Sequence, residues 1–351
     1  MRILHVISSL EIGGAQRLLS DLLPIQKQQG LDVELLVDVM LDNDFTKKIQ
    51  EAGIRIRSLE SLNSRSLFNI LRIRNIIKEY DVVHVHLFPS LYWVAIASIG
   101  LRVKLVYTEH STSNRRRGKK YFRPIEEFIY RQYNKIISIS QSTQDALQQW
   151  LRSTDNRFVV VNNGVDTKRF SSIKRPIIPK SLIMVSRFVA AKDQETLIRA
   201  MKYLDKDVVL RLVGDGENLE HCKHIAEVIG VSDRVKFLGT RSDITELVAE
   251  SYIGVQSSNW EGFGLTAVEI MAAGKPVIAS DVDGLKQVVE GAGVIFNMGD
   301  VQGLAHCITQ ILADVEVYER IAYACQQRAL QYDISVMSTR YKSVYKVLVG
   351  G

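Results

Sequence analysis

The sequence predicts an α/β protein built from two doubly wound parallel sheets, and three observations predict it. Short runs of β-branched residues alternate with amphipathic helical patterns along most of the chain, as parallel strands crossed over by helices require. The alternation lapses after Val161, where Asn162-Asn163-Gly164, Pro176 and Pro179 supply turn and breaker chemistry, and then restarts. The 351 residues also exceed what one hydrophobic core usually organises, while leaving each half enough chain for a core of its own.

In the first half, strands are expected over Arg2–Ser8, Asp32–Asp38, Ile54–Arg57, Asp81–His86, Lys104–Thr108, Lys135–Ile139 and Arg157–Val161. Helices are expected over Gln16–Gln29 and over Leu67–Lys78, where Phe68, Leu71 and Ile76 recur near helical spacing. In the second half, strands are expected over Leu182–Ser186, Val208–Val213, Val235–Leu238, Ile253–Gln256, Val277–Ser280 and Val294–Phe296. A long helical tract follows from Val301 to the end. No short internal repeat is present, and the halves read as two Rossmann-like units. The expected division is a first domain over 1–165, a linker over 166–180 and a second domain over 181–351, with the terminal helix free to pack back on the first domain.

Composition excludes several classes. With 46% hydrophobic and 24% charged residues and only 6 prolines, the chain is ordinary for a globular protein and not for a disordered one. The stretch Leu91–Leu101 falls short of the roughly 18 apolar residues a membrane span needs, and Arg102 and Lys104 follow it. The apolar run near the start ends at Glu11 without a small-residue cleavage site, so no secretory signal is expected. Cys222, Cys307 and Cys325 are odd in number and lack CxxC spacing, which argues against a disulfide framework or a zinc site and fits a reducing cytoplasm. Charge is uneven: residues 1–175 hold 27 Lys and Arg against 17 Asp and Glu, a net of +10, whereas the remainder is net −4. The first half is therefore expected to meet something anionic.

In doubly wound sheets ligands sit beyond the carboxyl ends of the strands, so two such domains facing across a cleft would each hold one ligand. The informative loop is Asn259-Trp260-Glu261-Gly262-Phe263-Gly264-Leu265-Thr266, which follows a strand and opens a helix reaching Glu269. Gly262 and Gly264 permit close backbone approach, and free amides around Phe263 to Thr266 favour an anion such as a phosphate. Glu261 stands before those amides and Glu269 a turn below them, so two carboxylates at different depths can grip hydroxyls of two sugars. Spacing alone favours two solvated glutamates; the strand, glycine-rich loop, helix and paired acids together reverse that and favour the ligand reading.

At these residues the chain resembles the large retaining glycosyltransferase family 4, whose hallmark is a Glu, seven residues, Glu pattern in an EGFG-type loop. Met271-Ala272-Ala273-Gly274-Lys275-Pro276-Val277-Ile278-Ala279-Ser280 looks like that family's continuation from helix to strand. The resemblance implies the GT-B architecture of two Rossmann-like domains. It implies Glu269 on the nucleotide ribose, Glu261 on the donor sugar's hydroxyls, and the Phe263, Gly264, Leu265 and Thr266 backbone on sugar and phosphates. Arg187 and Lys192, in Val185-Ser186-Arg187-Phe188-Val189-Ala190-Ala191-Lys192-Asp193, match the family's Arg-x4-Lys pair. A fork and a point charge of this kind suit a leaving diphosphate. The family often places Gly where this chain has Asp193.

Ile12-Gly13-Gly14-Ala15-Gln16-Arg17 opens the first helix, and in the family the matching glycines, Gly13 and Gly14, border the donor sugar. Gly214-Asp215-Gly216-Glu217 resembles the family's GDG turn but reads equally as a structural turn, and Asn163-Gly164-Val165-Asp166 matches its NGVD turn. His110, in Thr108-Glu109-His110-Ser111, falls where the family commonly places a His near the transferred sugar; a lone His is otherwise a structural residue. His86 ends its strand near the same edge, and His84 has no further support. Of three Asp-x-Asp triplets, only Asp281-Val282-Asp283 follows a strand, and no metal site is expected; relatives often carry two glycines where this chain has Asp283-Gly284. The run Arg115-Arg116-Arg117-Gly118-Lys119-Lys120, with Arg123, reads as a solvated loop or as a contact for an anionic acceptor or membrane surface.

The resemblance implies an enzyme that moves a hexose from a nucleoside-diphosphate sugar, UDP favoured over GDP, to a hydroxyl of a glycan or lipid-linked acceptor in cell-surface polysaccharide or glycolipid synthesis. His110 and Glu261 are its expected catalytic residues. No cofactor beyond the nucleotide-sugar co-substrate and no nucleic-acid partner are expected, and the expected place is the cytoplasm or the inner face of its membrane. The rivals are a GT-B epimerase or phosphorylase, or a non-catalytic partner subunit.

Overall fold

The computed structural model describes residues 1–11, 13–61, 66–112 and 116–350. Ile12 of the glycine turn and Arg115 of the basic run lie outside the described residues. The chain forms two compact units, one of Met1–Gly164 together with the C-terminal segment from Ile334, the other of Val165–Asp333.

The strands of the first unit are β1 (Arg2–Val6), β2 (Asp32–Val37), β3 (Ile56–Ser58), β4 (Val82–His86), β5 (Lys104–Glu109), β6 (Lys135–Ser138) and β7 (Phe158–Val160). All pair in parallel, in the order β3-β2-β1-β4-β5-β6-β7. The crossovers carry α1 (Gly14–Gln28), α2 (Asp44–Glu51), α3 (Phe68–Ile77), α4 (Ser90–Ala97), α5 (Arg123–Arg131) and α6 (Gln141–Leu151). Strand residues point alternately to the two faces. Leu4, Val6, Val83, Val85, Leu105 and Tyr107 join one core, and Ile3, Ile7, Val82 and Val106 join the other. The same alternation sends His5, His84, His86 and Thr108 to the second core. Burial of both faces is why these strands read as nearly continuous apolar runs.

The second unit opens on α7 (Thr167–Ser172) and holds β8 (Ser181–Val185), β9 (Val209–Val213), β10 (Val235–Phe237), β11 (Ile253–Gln256), β12 (Val277–Ser280) and β13 (Val294–Phe296). They too are parallel, in the order β10-β9-β8-β11-β12-β13. Its other helices are α8 (Gln194–Ala200), α9 (Leu219–Val228), α10 (Ile244–Glu250), α11 (Leu265–Ala272), α12 (Asp283–Val289), α13 (Val301–Ala313) and α14 (Val315–Leu330). Each expected strand is present within two residues at either end.

Two expectations change. The tract from Val301 is not one helix: the Asp314 carboxylate accepts from the amides of Glu316 at 2.8 Å and Val317 at 3.3 Å, capping α14 and ending α13. The last helix, α15 (Ile334–Gly350), lies in the 181–351 span whose terminal helix was left free to pack back on the first domain, and it clusters with the first unit. It buries Ile334, Met337, Tyr341 and Tyr345 beside Leu18 and Leu22 of α1, and Ser338 and Lys342 donate to Gln29. The 166–180 segment, expected as linker, carries α7, which Asp166 caps through the Arg169 amide and Phe170 anchors in the core of the second unit. Six residues are too few to display a helical period.

Strand order reverses between β1 and β4 and again between β8 and β11. At such switch points the outgoing loops diverge and open a crevice for ligand. Among the described residues no helix is long and apolar enough to cross a membrane.

Candidate functional site

In the second unit, the loops leaving β8 and β11 are laced together. The amides of Asn259 and Trp260 donate to the Ala191 carbonyl at 3.0 and 3.2 Å, Asn259 Nδ2 to that of Ala190 at 3.0 Å, and Ser257 Oγ to that of Asp193 at 2.7 Å. Lys192 Nζ donates to the Glu261 carboxylate, whose other oxygen accepts from the Gly262 amide at 3.1 Å. Arg187 is exposed, with no ion-pair partner among the described residues.

Glycines explain how closely these loops approach. Gly214 has φ +132°, and a Cβ there would lie 2.0 Å from the Ser186 carbonyl oxygen; Phe188 N donates to Asp215 O at 2.8 Å. The Gly214-Asp215-Gly216 turn therefore braces the loop that carries Arg187. A Cβ on Gly284 would lie 2.3 Å from the Glu261 carbonyl oxygen, whereas the neighbouring Asp283 is exposed, so the departure from a glycine pair falls where a side chain fits.

Gly264 takes φ +89° ahead of α11, which has no side-chain N-cap, so its first-turn amides at Leu265 and Thr266 remain for an anion. Phe263 buries its ring edge-on against Tyr332 and offers only its backbone to a ligand. Glu269 is buried on α11. Asp193, where relatives have Gly, holds a left-handed φ of +46° and caps α8 by accepting from Thr196 N at 3.3 Å and Thr196 Oγ1 at 2.6 Å. Asp281 is occupied by Lys286 at 2.9 Å.

The first unit places Gly13 as the N-cap and Gly14 as the first residue of α1, after β1, and His110 just past the end of β5. Gly14 has an ordinary negative φ and would place a Cβ in open space, so no protein contact demands glycine there. His110 Nε2 lies 3.1 Å from His86 Nδ1, His86 Nε2 lies 3.1 Å from His5 Nδ1, and His5 Nε2 lies 2.9 Å from Gln26 Oε1. His84 sits beside this chain, its ring 4.3 Å from that of His86, with Nδ1 2.6 Å from the Tyr345 hydroxyl and Nε2 2.6 Å from Thr108 Oγ1. Burial lowers His5 and His110 to about 4 and holds His84 and His86 well below the ordinary value, so all four are neutral at pH 7. Donor atoms of His5, His84 and His86 lie within 4.8 Å of one another, a spacing that suits a metal, but all six of their ring nitrogens already have hydrogen-bond partners.

The basic run is only partly a solvated loop. Arg116 Nε donates to Glu126 at 2.7 Å, and that fully buried carboxylate also accepts from Tyr92 and Trp150. Arg117 donates to Glu109 at 2.5 Å, and burial keeps the Glu109 carboxyl above the usual range although Arg117 and Tyr130 oppose it. Lys119 and Lys120 are exposed. Sequence reasoning passed over Gln26, His5 and Asp38. Gln26 continues the buried face of α1 with Leu19, Leu22 and Leu23, and His5 has the inward parity of Ile3 and Ile7. Burial pushes the Asp38 carboxyl up to about 7.

Two all-parallel Rossmann-like units, the second with a phosphate-suited helix N-terminus beside paired cations and carboxylates, define the GT-B class of glycosyltransferase. Residues 166–328 match glycosyl transferases group 1, and residues 12–169 match glycosyltransferase family 4. The chain is 26% identical over 283 residues to N-acetyl-alpha-D-glucosaminyl L-malate synthase of Bacillus anthracis, covering 76% of this chain and 74% of that protein. It is 25% identical over 360 residues to phosphatidyl-myo-inositol mannosyltransferase of Mycobacterium leprae, covering 96% and 93%. Its fold is similar to that of Anabaena HepE in complex with UDP-glucose, with a TM-score of 0.86, 24% identity, and 99% and 100% of the two chains covered. The protein belongs to the GT-B glycosyltransferases of family 4.

Proposed function

We propose that this glycosyltransferase moves a hexose, with retention, from a nucleoside-diphosphate sugar to a hydroxyl of a glycan or lipid-linked acceptor, and that it needs no divalent metal. A UDP-sugar is the favoured donor, by likeness of fold to HepE, whose complex holds UDP-glucose. The observation that carries the reading is the Lys192–Glu261 pair beside the uncapped N-terminus of α11. As the anomeric C–O bond breaks, negative charge grows on the leaving diphosphate and positive charge on the anomeric carbon. Arg187, Lys192 and the amides at Leu265 and Thr266 stabilise the first charge, as a metal does elsewhere. Glu261 accepts from sugar hydroxyls and Glu269 from the ribose. The acceptor oxygen bonds to the anomeric carbon on the face the diphosphate leaves, and its proton passes to a leaving phosphate oxygen. Support for this same-face route comes from Glu109: the carboxylate next to His110 is held by Arg117 and Tyr130 and is no nucleophile.

The lipid-linked acceptor is favoured by α5. Ile125 and Phe128 are exposed on α5 at a spacing of three, Tyr121 is exposed in the turn before the helix, and Lys119, Lys120 and Arg131 are exposed around them, a combination suited to an anionic lipid surface.

A thermal-shift panel of UDP, GDP, ADP and their sugars tests the donor, since a ligand bound only by the folded state raises its stability. UDP and a UDP-hexose should give the largest shifts, and transfer should survive EDTA and yield the donor's anomeric configuration. Loss of turnover in EDTA with recovery in Mn²⁺ would remove metal independence. Phosphate-dependent release of a hexose phosphate would replace the transferase by a phosphorylase.

A further inference from the structure

Period-two alternation places His5 of β1, His84 and His86 of β4, and Thr108 with His110 at the end of β5, on the sheet face covered by α1 and α15. Buried polar groups there must find partners within the protein. Gln26 of α1 and Tyr341 and Tyr345 of α15 supply them, together with Thr108. Among the described residues no carboxylate or cation hydrogen-bonds any of the four imidazoles.

A neutral imidazole has one N–H and one lone pair, so each link in a chain of imidazoles dictates the next. The Gln26 carbonyl oxygen only accepts, so His5 Nε2 carries the proton and His5 Nδ1 the lone pair. His86 then donates from Nε2 and accepts at Nδ1, and His110 donates from Nε2. One nitrogen is left over: Nδ1 of His110 has no hydrogen-bond partner among the described residues, and the residue as a whole is half-buried.

We propose that Gln26, His5 and His86 are positioning residues that hold His110 as the Nε2-protonated tautomer, presenting Nδ1 as a hydrogen-bond acceptor to a hydroxyl of the sugar substrate. The contact with sugar rests on the reading of His110 given above; the tautomer does not. A second proton on His5 or on His86 would leave two N–H groups facing each other, so the column adds to burial in keeping those two rings neutral. The column selects a hydroxyl over a carbonyl or ether oxygen at Nδ1, because only a donor satisfies a lone pair.

The tautomer is read directly by ¹⁵N NMR of histidine-labelled protein, with the His110 signals assigned from His110→Ala. Wild type should show His110 protonated on Nε2 and not on Nδ1. Gln26→Met should give a mixture of the two forms, and Gln26→Glu, of the same shape and still an acceptor toward His5, should restore the wild-type pattern. In transfer assays Gln26→Met should lower kcat/KM by about tenfold, a typical effect of one misdirected hydrogen bond, with UDP affinity unchanged. Adding Gln26→Met to His110→Ala should lower it no further, whereas a purely structural role for Gln26 would lower it in both backgrounds. If Gln26→Met does not fold, wild type and Gln26→Glu decide. Protonation of His110 on Nδ1 in either protein overturns the proposal. The expected tautomer with additive kinetics keeps the column and removes the sugar contact instead.

Discussion

Lys192 donates through its ammonium to the carboxylate of Glu261, so the residues read from the sequence as phosphate and sugar ligands are each other's partners. A diphosphate that recruits Lys192 competes with Glu261 for it. Lys192→Ala should therefore weaken UDP binding by roughly 10- to 100-fold, the range for a charge-assisted hydrogen bond, while uridine binding changes little. Glu261→Gln should bind UDP more tightly than wild type, because the competing charge is gone, yet transfer sugar poorly. Calorimetry with UDP and uridine checks both. Equal losses for the two ligands in Lys192→Ala would take Lys192 off the phosphates.

The basic run separates into two functions. Arg117→Ser leaves the Glu109 carboxylate buried without its cation, and loss of one partner of a buried pair costs about 3–5 kcal/mol, so this variant should melt far below wild type. Lys119→Ser with Lys120→Ser should melt within about 0.5 kcal/mol of wild type. It should nevertheless bind anionic vesicles more weakly by about 1 kcal/mol per lysine, a difference that salt erases. Phe128→Ser should weaken vesicle binding at all salt concentrations. If wild type ignores anionic vesicles at low salt, the lipid-surface reading fails.

These two cases mark what was legible in the sequence. Strands buried on both faces announce themselves as apolar runs, and the Glu261 to Glu269 loop carries its own spacing, so both are local signals. Strand order is not local, because parallel neighbours are joined through helices and leave no turn signature. The partners of Arg116 and Arg117 were hidden for the same reason: Glu126 and Glu109 are brought to them only by folding. His84, which had nothing to support it along the chain, gains Tyr345 from a helix 261 residues away. Asp193 looked like a departure from the expected glycine because backbone dihedrals are not written in residue identity.

Asp193 itself can be tested. Its φ of +46° costs most side chains of order 1 kcal/mol, and Asp tolerates that region better than most while capping α8. Asp193→Gly relieves the backbone and loses the cap, so its stability should lie within about 0.5 kcal/mol of wild type. Asp193→Ala keeps the strained φ and loses the cap, and should be destabilised by about 2 kcal/mol. Urea denaturation at pH 7 compares the two, and equal stabilities would show that left-handed strain contributes nothing at this turn.

Acid should act on the two buried polar features of the first unit with opposite signs. His5 is lowered from 6.5 to about 4, so the unfolded chain takes up its proton first. The stability this contributes is present above pH 6.5 and is lost as pH falls toward 4, by about 2 kcal/mol at pH 5 for His5 alone. His84 and His86 are shifted the same way and add to the loss. Asp38 is raised from 3.8 to about 7, so the folded state takes up that proton first and its contribution fades as pH rises through 7. Asp38→Asn should therefore stabilise the protein at pH 8 and leave it nearly unchanged at pH 4. Melting curves between pH 4 and 8 should show wild type falling steeply below pH 6.5, and Asp38→Asn falling more steeply still, because the opposing carboxyl is gone. A wild-type melting temperature that stays flat from pH 7 to pH 5 would mean that the imidazoles of the column are not held neutral.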